Sequence, residues 1–259
     1  MKIGIMITKQ CNYTCKHCMV NSQKEVSVIQ DSVMDRILDF LMKNRIYEVD
    51  LLGGEPSLYI ELLEKYVPSI YKYCNNIEMY SNGSFLLCPD ITNRIERLEI
   101  KCRISDDRYH RKFWGKDLEK KILESQYDVI KTHDDQQMFP IGRALYNNEC
   151  DTDYLCNCAL VNGNNLSLNY IRNKRNRIFI DIDGSTNLWC QAMMGKLGNI
   201  LDEEISFKLL LEREKKLRNY LIRSGDIYEG VKMKDACNQC SQYSVNINGI
   251  FYKGDYICK

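Results

Sequence analysis

Cys11, Cys15 and Cys18 stand at CxxxCxxC spacing directly after a short apolar stretch carrying Ile3, Ile5 and Ile7. Three thiolates on one tight loop can hold three irons of a 4Fe-4S cube and leave the fourth open. An open iron can grip a small molecule and deliver an electron to it, whereas a four-cysteine set closes the cluster and suits electron transfer alone. The competing readings are a chance triplet, since the chain holds 13 Cys, and a zinc site, although zinc motifs favour paired CxxC spacings. A second motif bears on the choice. The predicted strand Glu48 to Leu52 runs into Gly53-Gly54-Glu55-Pro56. Backbone carbonyls and a carboxylate at a strand end can hold a ligand's ammonium group, and glycines there let the backbone come close. Alone this is a turn; at the strand end that follows CxxxCxxC it gains meaning.

These residues need elements to position them, and the first half of the chain alternates strand and helix patterns, as parallel α/β architecture does. Strands are predicted over 2–7, 47–52, 76–80, 98–104 and 127–132, with a short sixth around 137–141. Helices are predicted over 31–44 (apolar Val33, Met34, Ile37, Leu38, Leu41 and Met42, capped by Asp31 or Ser32), 58–73 (interrupted or bent at Pro68), 90–97 and 116–126. Six strands are fewer than a full eight-stranded barrel, so one side stays open for a larger substrate. Chemistry in such barrels sits at the C-terminal strand ends. CxxxCxxC, GGEP, Ser81-Asn82-Gly83, Ser105-Asp106-Asp107 and Pro140-Ile141-Gly142-Arg143-Ala144 all fall there. Arg143 suits a planar carboxylate. Within the polar run Asp106 to Arg111, Tyr109 and His110 can orient substrate or carry a proton; a solvated charged loop is the alternative. Cys74, Cys88 and Cys102 lie in or beside early elements and are expected as small buried hydrophobes.

The two leading motifs, with the strand order, resemble the radical S-adenosylmethionine (SAM) superfamily over roughly the first 145 residues. The resemblance implies a partial (β/α)6 TIM-type barrel and a 4Fe-4S cluster whose open iron chelates the amino and carboxylate groups of SAM. Reductive cleavage then yields a 5′-deoxyadenosyl radical that abstracts a substrate hydrogen. By position, Cys11, Cys15 and Cys18 are the cluster ligands, and His17 lies under the adenine where the family often has an aromatic. Gly53, Gly54 and Glu55 meet the SAM ammonium, Ser81 and Asn82 approach the ribose, Ser105 the ribose or carboxylate, and Arg143 the carboxylate.

After residue 150 the pattern changes to a hairpin (Arg177 to Asp183, a Gly184-Ser185 turn, Asn187 to Cys190), then Gly198-Asn199-Ile200, a helix over about 203–223, and Cys237-Asn238-Gln239-Cys240. This resembles the twitch or SPASM extension of the same superfamily, a small α+β hairpin-and-helix domain. The implied ligands of one auxiliary 4Fe-4S cluster are Cys156 or Cys158, with Cys190, Cys237 and Cys240; structural zinc at the same thiolates is the alternative. Departures are an extra residue between Gly184 and Cys190, a first cysteine lying far upstream, and the lack of a cysteine-dense tail. The expected domains are 1–145 and 146–259.

With 259 residues, 44% hydrophobic and 27% charged, the chain can bury a sizeable core. A net charge of +1 gives no electrostatic reason to expect nucleic acid or a membrane surface as partner. Many cysteines with no secretion signal before the first strand point to metal or redox use in a cytoplasmic protein rather than to disulfides. The expected partners are a peptide or small-molecule substrate and a flavodoxin- or ferredoxin-type reductant. The expected reaction is modification of a peptide by crosslinking, thioether formation or epimerisation; dehydrogenation of a small alcohol or sugar is the rival. An epimerase needs a hydrogen donor, for which Cys258, Cys150 or the unused member of Cys156 and Cys158 qualify. An iron-sulfur sensor that binds no SAM is the non-enzymatic alternative.

Overall fold

A computed structural model describes residues 1–131, 143, 177–188, 196–225, 242–245 and 251–253. The chain divides into two compact units, one of Met1–Lys16, Asn21–Gln137 and Asp181–Asp183, the other of His17–Val20, Met138–Ile180 and Gly184–Lys259.

The first unit is built on five parallel strands, β1 (Lys2–Thr8), β2 (Glu48–Gly53), β3 (Ile77–Ser81), β4 (Lys101–Asp106) and β5 (Asp128–Lys131), adjacent in chain order. Helices α1 (Asp31–Lys43), α2 (Ile60–Tyr71), α3 (Pro89–Arg97) and α4 (Lys116–Glu124) alternate with them, as crossovers between parallel strands require. The strands read apolar and polar by turns. Ile3, Ile5, Val49, Leu51, Ile77, Met79 and Ile104 are all buried, and so are Val33, Met34, Ile37 and Leu41 of α1 and Leu63, Val67 and Ile70 of α2. Side chains alternate across a strand, so the opposite sheet face is polar. There the register sets Lys2 against Glu48, Asp50 against Glu78, and Glu78 against Lys101. Buried Glu78 takes the Arg103 guanidinium at 2.8 Å, and Glu48 takes Lys2.

Several element ends differ from expectation. The cap of α1 is Gln30, with no side-chain hydrogen bond. The Asp31 carboxylate is drawn instead to α2, where it accepts from Lys65 Nζ at 2.7 Å and Tyr66 Oη at 2.6 Å. The segment before α2 is a 3₁₀ turn, Pro56–Tyr59, and α2 then runs through Pro68 without a break. Pro68 and Glu64 are exposed, so the carbonyl that loses its helical donor can turn to solvent. β4 starts at Lys101 rather than 98, because α3 and its C-terminal turn occupy the residues before it. Cys74 and Cys102 are buried as expected, but Cys88 is exposed at the entry to α3. The predicted sixth strand at 137–141 lies outside the described residues.

In the second unit, β6 (Arg177–Ile180), β7 (Ser185–Leu188) and β8 (Gly198–Asn199) form an antiparallel set. The turn precedes Ser185 rather than including it: Ile180 pairs with Thr186, and Gly184 takes the left-handed φ of +81° that the reversal needs. Helix α5 (Phe207–Arg223) follows, starting later than the predicted 203, after Ser206, whose Oγ accepts from Leu209 N at 3.1 Å. Arg213, buried on α5, makes a two-pronged pair with Glu203 (2.5 and 2.9 Å) and donates to the Leu197 carbonyl at 2.9 Å. Gly198 is small for this reason, since a Cβ there would lie 2.9 Å from Glu203 Oε1. A final antiparallel pair joins β9 (Tyr243–Val245) and β10 (Phe251–Lys253).

Candidate functional site

Cys11 begins the loop at the C-terminal end of β1, and the chain clamps this point from two sides. On one side the returning segment runs beside it: Lys9 N donates to Ser27 O (2.8 Å) and Cys11 N to Gln23 O (2.7 Å). On the other side the end of β2 lies over it, with Gly54 N donating to Thr8 O and Glu55 N to Gln10 O, both at 2.8 Å. The two glycines make that approach possible. A Cβ on Gly54 would fall 2.1 Å from Gln10 O, and one on Gly53 would fall 2.9 Å from Thr8 O. Their smallness is thus spent on seating β2 against the cysteine loop.

Glu55 is wholly buried. Its Oε1 accepts from Ser57 N (3.1 Å), Ser57 Oγ (2.6 Å) and Ser81 Oγ (2.8 Å), and its Oε2 accepts from Asn82 N (2.7 Å). Glu55 thus has no exposed surface, and its carboxylate ties the end of β2 to the end of β3. Burial pushes its carboxyl above the usual range, while these four bonds pull it back part of the way. Ser81 is likewise committed, donating to Glu55 and accepting from Gly83 N at 3.0 Å. Asn82, also buried, turns its amide to the cysteine loop: Nδ2 lies 3.7 Å from Cys11 Sγ and 2.9 Å from Asn12 Oδ1. Both residues are engaged by protein partners at the end of β3.

Cys11 Sγ thus receives two N–H groups, from Asn82 and from Tyr13 N at 3.4 Å. Such donors favour a thiolate, the form that binds metal, and hydrogen bonds to ligand sulfurs are a feature of iron-sulfur sites. Cys11 and Cys15 are both buried. Tyr13, between them, stacks on Phe113 (ring centroids 4.7 Å apart, 14° between planes), and burial pushes its phenol up to about 12, with Glu55, Cys15 and Cys11 adding to the shift. The aromatic pair joins the cysteine loop to the segment after β4, a contact the spacing gave no hint of. The donor set fits a cluster held by thiolates.

Beyond β4, the buried Asp107 holds His110 Nδ1 at 2.7 Å and caps the backbone N–H of Tyr109 and His110, each at 2.9 Å. Tyr109 is 1% exposed and its hydroxyl accepts from Arg108 at 2.7 Å. Tyr109 is thus enclosed by protein partners, and His110 is half-buried with its ring oriented by Asp107. Asp107 was not singled out in the sequence, though its place three residues before His110 in a turn is the pattern of an orienting carboxylate. Ser105 is half-buried near the end of β4.

In the second unit, Cys18 is half-buried and His17 buried, and the Arg143 N–H donates to the Cys18 carbonyl at 2.8 Å. Cys156, Cys158, Cys190, Cys237, Cys240 and Cys258 lie outside the described residues. Among the described residues, Glu48, Asp50 and Glu78 converge within 4.8 Å on the polar sheet face, and no helix is long and apolar enough to cross a membrane.

Residues 4–98, which carry both CxxxCxxC and GGEP, match the family model of a 4Fe-4S single cluster domain. A nucleotide dehydratase from Fibrobacter sp. (strain UWH6) described as S-adenosylmethionine-dependent is 33% identical over 94 residues, covering 32% of this chain and 28% of that protein. The chain is thus similar to a 4Fe-4S cluster domain over its N-terminal stretch, and to an S-adenosylmethionine-dependent enzyme. Its fold agrees with two solved structures. BtrN in complex with AdoMet and 2-DOIA superposes with a TM-score of 0.50 at 17% identity, over 92% of each chain. Native anSMEcpe with bound AdoMet and the Kp18Cys peptide superposes with a TM-score of 0.53 at 14% identity, over 84% of each. The alignments to the curated relatives span about a third of those relatives' length (37%, 28% and 28%). The α/β class and the parallel-dominated sheet expected from the strand pattern are those observed.

Proposed function

We propose that the chain is a radical SAM enzyme in which Cys11, Cys15 and Cys18 hold a 4Fe-4S cluster. When bound, that cluster supplies an open iron for SAM and the electron that cleaves it to methionine and a 5′-deoxyadenosyl radical. The carrying observation is the buried, doubly clamped Cys11, whose sulfur faces two N–H donors. Zinc at the trio is disfavoured by the spacing, and a chance triplet by the matched cluster domain.

The chain's own residues take defined parts in this scheme. With Glu55 and Ser81 committed internally, the ligand-facing groups left at the β2 and β3 ends are backbone carbonyls, which suit an ammonium. Arg143, tied by its backbone to Cys18, is the candidate partner of the SAM carboxylate. Cys156 or Cys158, with Cys190, Cys237 and Cys240, are assigned to an auxiliary 4Fe-4S cluster. The substrate class is a peptide, modified by crosslinking, thioether formation or epimerisation, with Cys258 as hydrogen donor in the last case. The support is the sequence's resemblance to an open partial barrel followed by an auxiliary-cluster segment; a solved structure of this fold is described with a bound peptide. Dehydrogenation of a small alcohol or sugar is the second reading, because another is described with the non-peptide ligand 2-DOIA.

The test is anaerobic incubation of the iron-loaded protein with SAM, a flavodoxin-type reductant and candidate short peptides. The expected result is 5′-deoxyadenosine with a peptide changed in mass or stereochemistry. Formation of 5′-deoxyadenosine with no change in any peptide, and loss of two hydrogens from a soluble alcohol, would select the second reading. Absence of SAM cleavage under strong reductant would remove both.

A further inference from the structure

The Asn82 amide has a single consistent orientation. Its Oδ1 accepts from Ser84 N at 2.9 Å, so flipping the amide would set donor against donor. That fixes Nδ2 toward the cysteine loop, with one hydrogen for Asn12 Oδ1 (2.9 Å) and the other for Cys11 Sγ (3.7 Å). Asn12 is held in turn by Ser84 Oγ at 2.9 Å. The Asn82 backbone is pinned by Glu55 Oε2 at 2.7 Å, and the residue is 4% exposed. Every polar atom of the side chain is thus engaged, and one engagement is the sulfur of a cluster ligand.

We propose that Asn82 is a positioning residue that sets the reduction potential of the cluster held by Cys11, through an N–H···S bond to that thiolate. This rests on the reading above that the cysteine trio holds a 4Fe-4S cluster. Hydrogen bonds to the ligand sulfurs are among the factors that fix such potentials. The physical reason is charge. A low-potential one-electron donor of the flavodoxin or ferredoxin type supplies the electron; no bond forms or breaks and no proton moves. The added negative charge is shared by the Cys11 sulfur, and a buried amide N–H aimed at that sulfur stabilises the reduced state more than the oxidised one. Water at the same place would be a mobile and weaker substitute, and burial of Asn82 excludes it. The bond also links the end of β3, which carries Asn82, to the end of β1, which carries the ligand. The Glu55 hydrogen-bond set that fastens β2 to β3 thereby holds the donor in place.

The experiment is a redox titration of the reconstituted protein, followed by the electron paramagnetic resonance of the reduced state, for the wild type and the variants Asn82→Leu, Asn82→Asp and Asn12→Ala. Asn82→Leu removes the donor without adding charge. Asn82→Asp keeps an acceptor for Ser84 N and so preserves the turn, while replacing the donor with an anion. Both should bind iron and sulfide and show more negative midpoint potentials, the Asp variant the more so. The shift expected for Asn82→Leu is about tenfold in the one-electron reduction equilibrium, or about 59 mV. Asn12→Ala leaves the Asn82 donor in place and should match the wild type. If the Leu and Asp variants carry full iron at an unchanged potential, the proposal for Asn82 is overturned while the cluster assignment stands. If the wild type takes up no cluster on reconstitution, both fall together.

Discussion

Glu55 is a residue whose place in the sequence suggests a ligand and whose side chain is taken up by the protein. A carboxylate after two glycines at a strand end looks like a hand held out to an ammonium. The structure shows one with no exposed surface and four protein donors around it. Replacing it tests that task. In Glu55→Gln one carboxylate oxygen becomes an NH₂ group, which must face either the Asn82 N–H or the donors at Ser57 and Ser81. The expected loss is about 1–3 kcal/mol of unfolding free energy, read by chemical denaturation. The pH dependence has a defined sign. Burial raises the carboxyl of folded Glu55 above its unfolded value, so between those two values the folded chain keeps a proton that the unfolded chain has lost. Stability from this group is present below the unfolded value and declines as pH rises through the folded one. The wild type should show that decline as pH rises above the ordinary carboxylate value, and Glu55→Gln should lack it. An unchanged slope in the variant would show that Glu55 is ionised throughout.

The elements were legible because each carries its period. Helical spacing in α1 and alternation in β1 to β4 placed most of the first unit within a few residues. Errors fell at element ends, where tertiary partners decide. Asp31 left the cap of α1 because Lys65 and Tyr66 on α2 offered better donors than its own helix. Pro68 failed to break α2 because both it and the carbonyl it orphans lie on the wet side. The convergence of Glu48, Asp50 and Glu78 could not be seen in advance, since it depends on the register that sets Asp50 against Glu78. The glycines of GGEP belong to this scale too, as they serve the contact between the end of β2 and the cysteine loop. Gly54→Ala puts a methyl group 2.1 Å from a backbone oxygen. It should cost about 1–3 kcal/mol of stability and lower the iron bound per chain on reconstitution, because the backbone that moves is the one carrying Cys11. Full iron content at wild-type stability would contradict the seating role assigned to this glycine.

At the scale of the molecule, the two units are built by different means. The first is a parallel α/β layer with an apolar face under helices and a face of paired charges. The second contains an antiparallel set and one long helix, fastened by the buried Arg213–Glu203 pair. Arg213→Ala leaves Glu203 without its two-pronged partner and the Leu197 carbonyl without its donor. The expected destabilisation is about 3–5 kcal/mol, seen as an earlier unfolding transition; a loss below about 1 kcal/mol would show that the pair is not what holds α5. Motif spacing in the N-terminal third carried the resemblance to the radical SAM superfamily, since ligand chemistry is local and tolerates little variation in spacing. Substrate choice is set by the shape and lining of a pocket assembled from distant residues, and one radical chemistry serves many pockets. That part was not written in any short stretch of the chain.

The central claim is that three thiolates hold a cluster with one iron left open to SAM. Its most direct measurement is the electron paramagnetic resonance spectrum of the reduced, reconstituted protein, recorded with and without SAM. The account predicts a 4Fe-4S signal that changes when SAM is added and that disappears in Cys11→Ala. A signal indifferent to SAM, or one that survives the loss of Cys11, would contradict it.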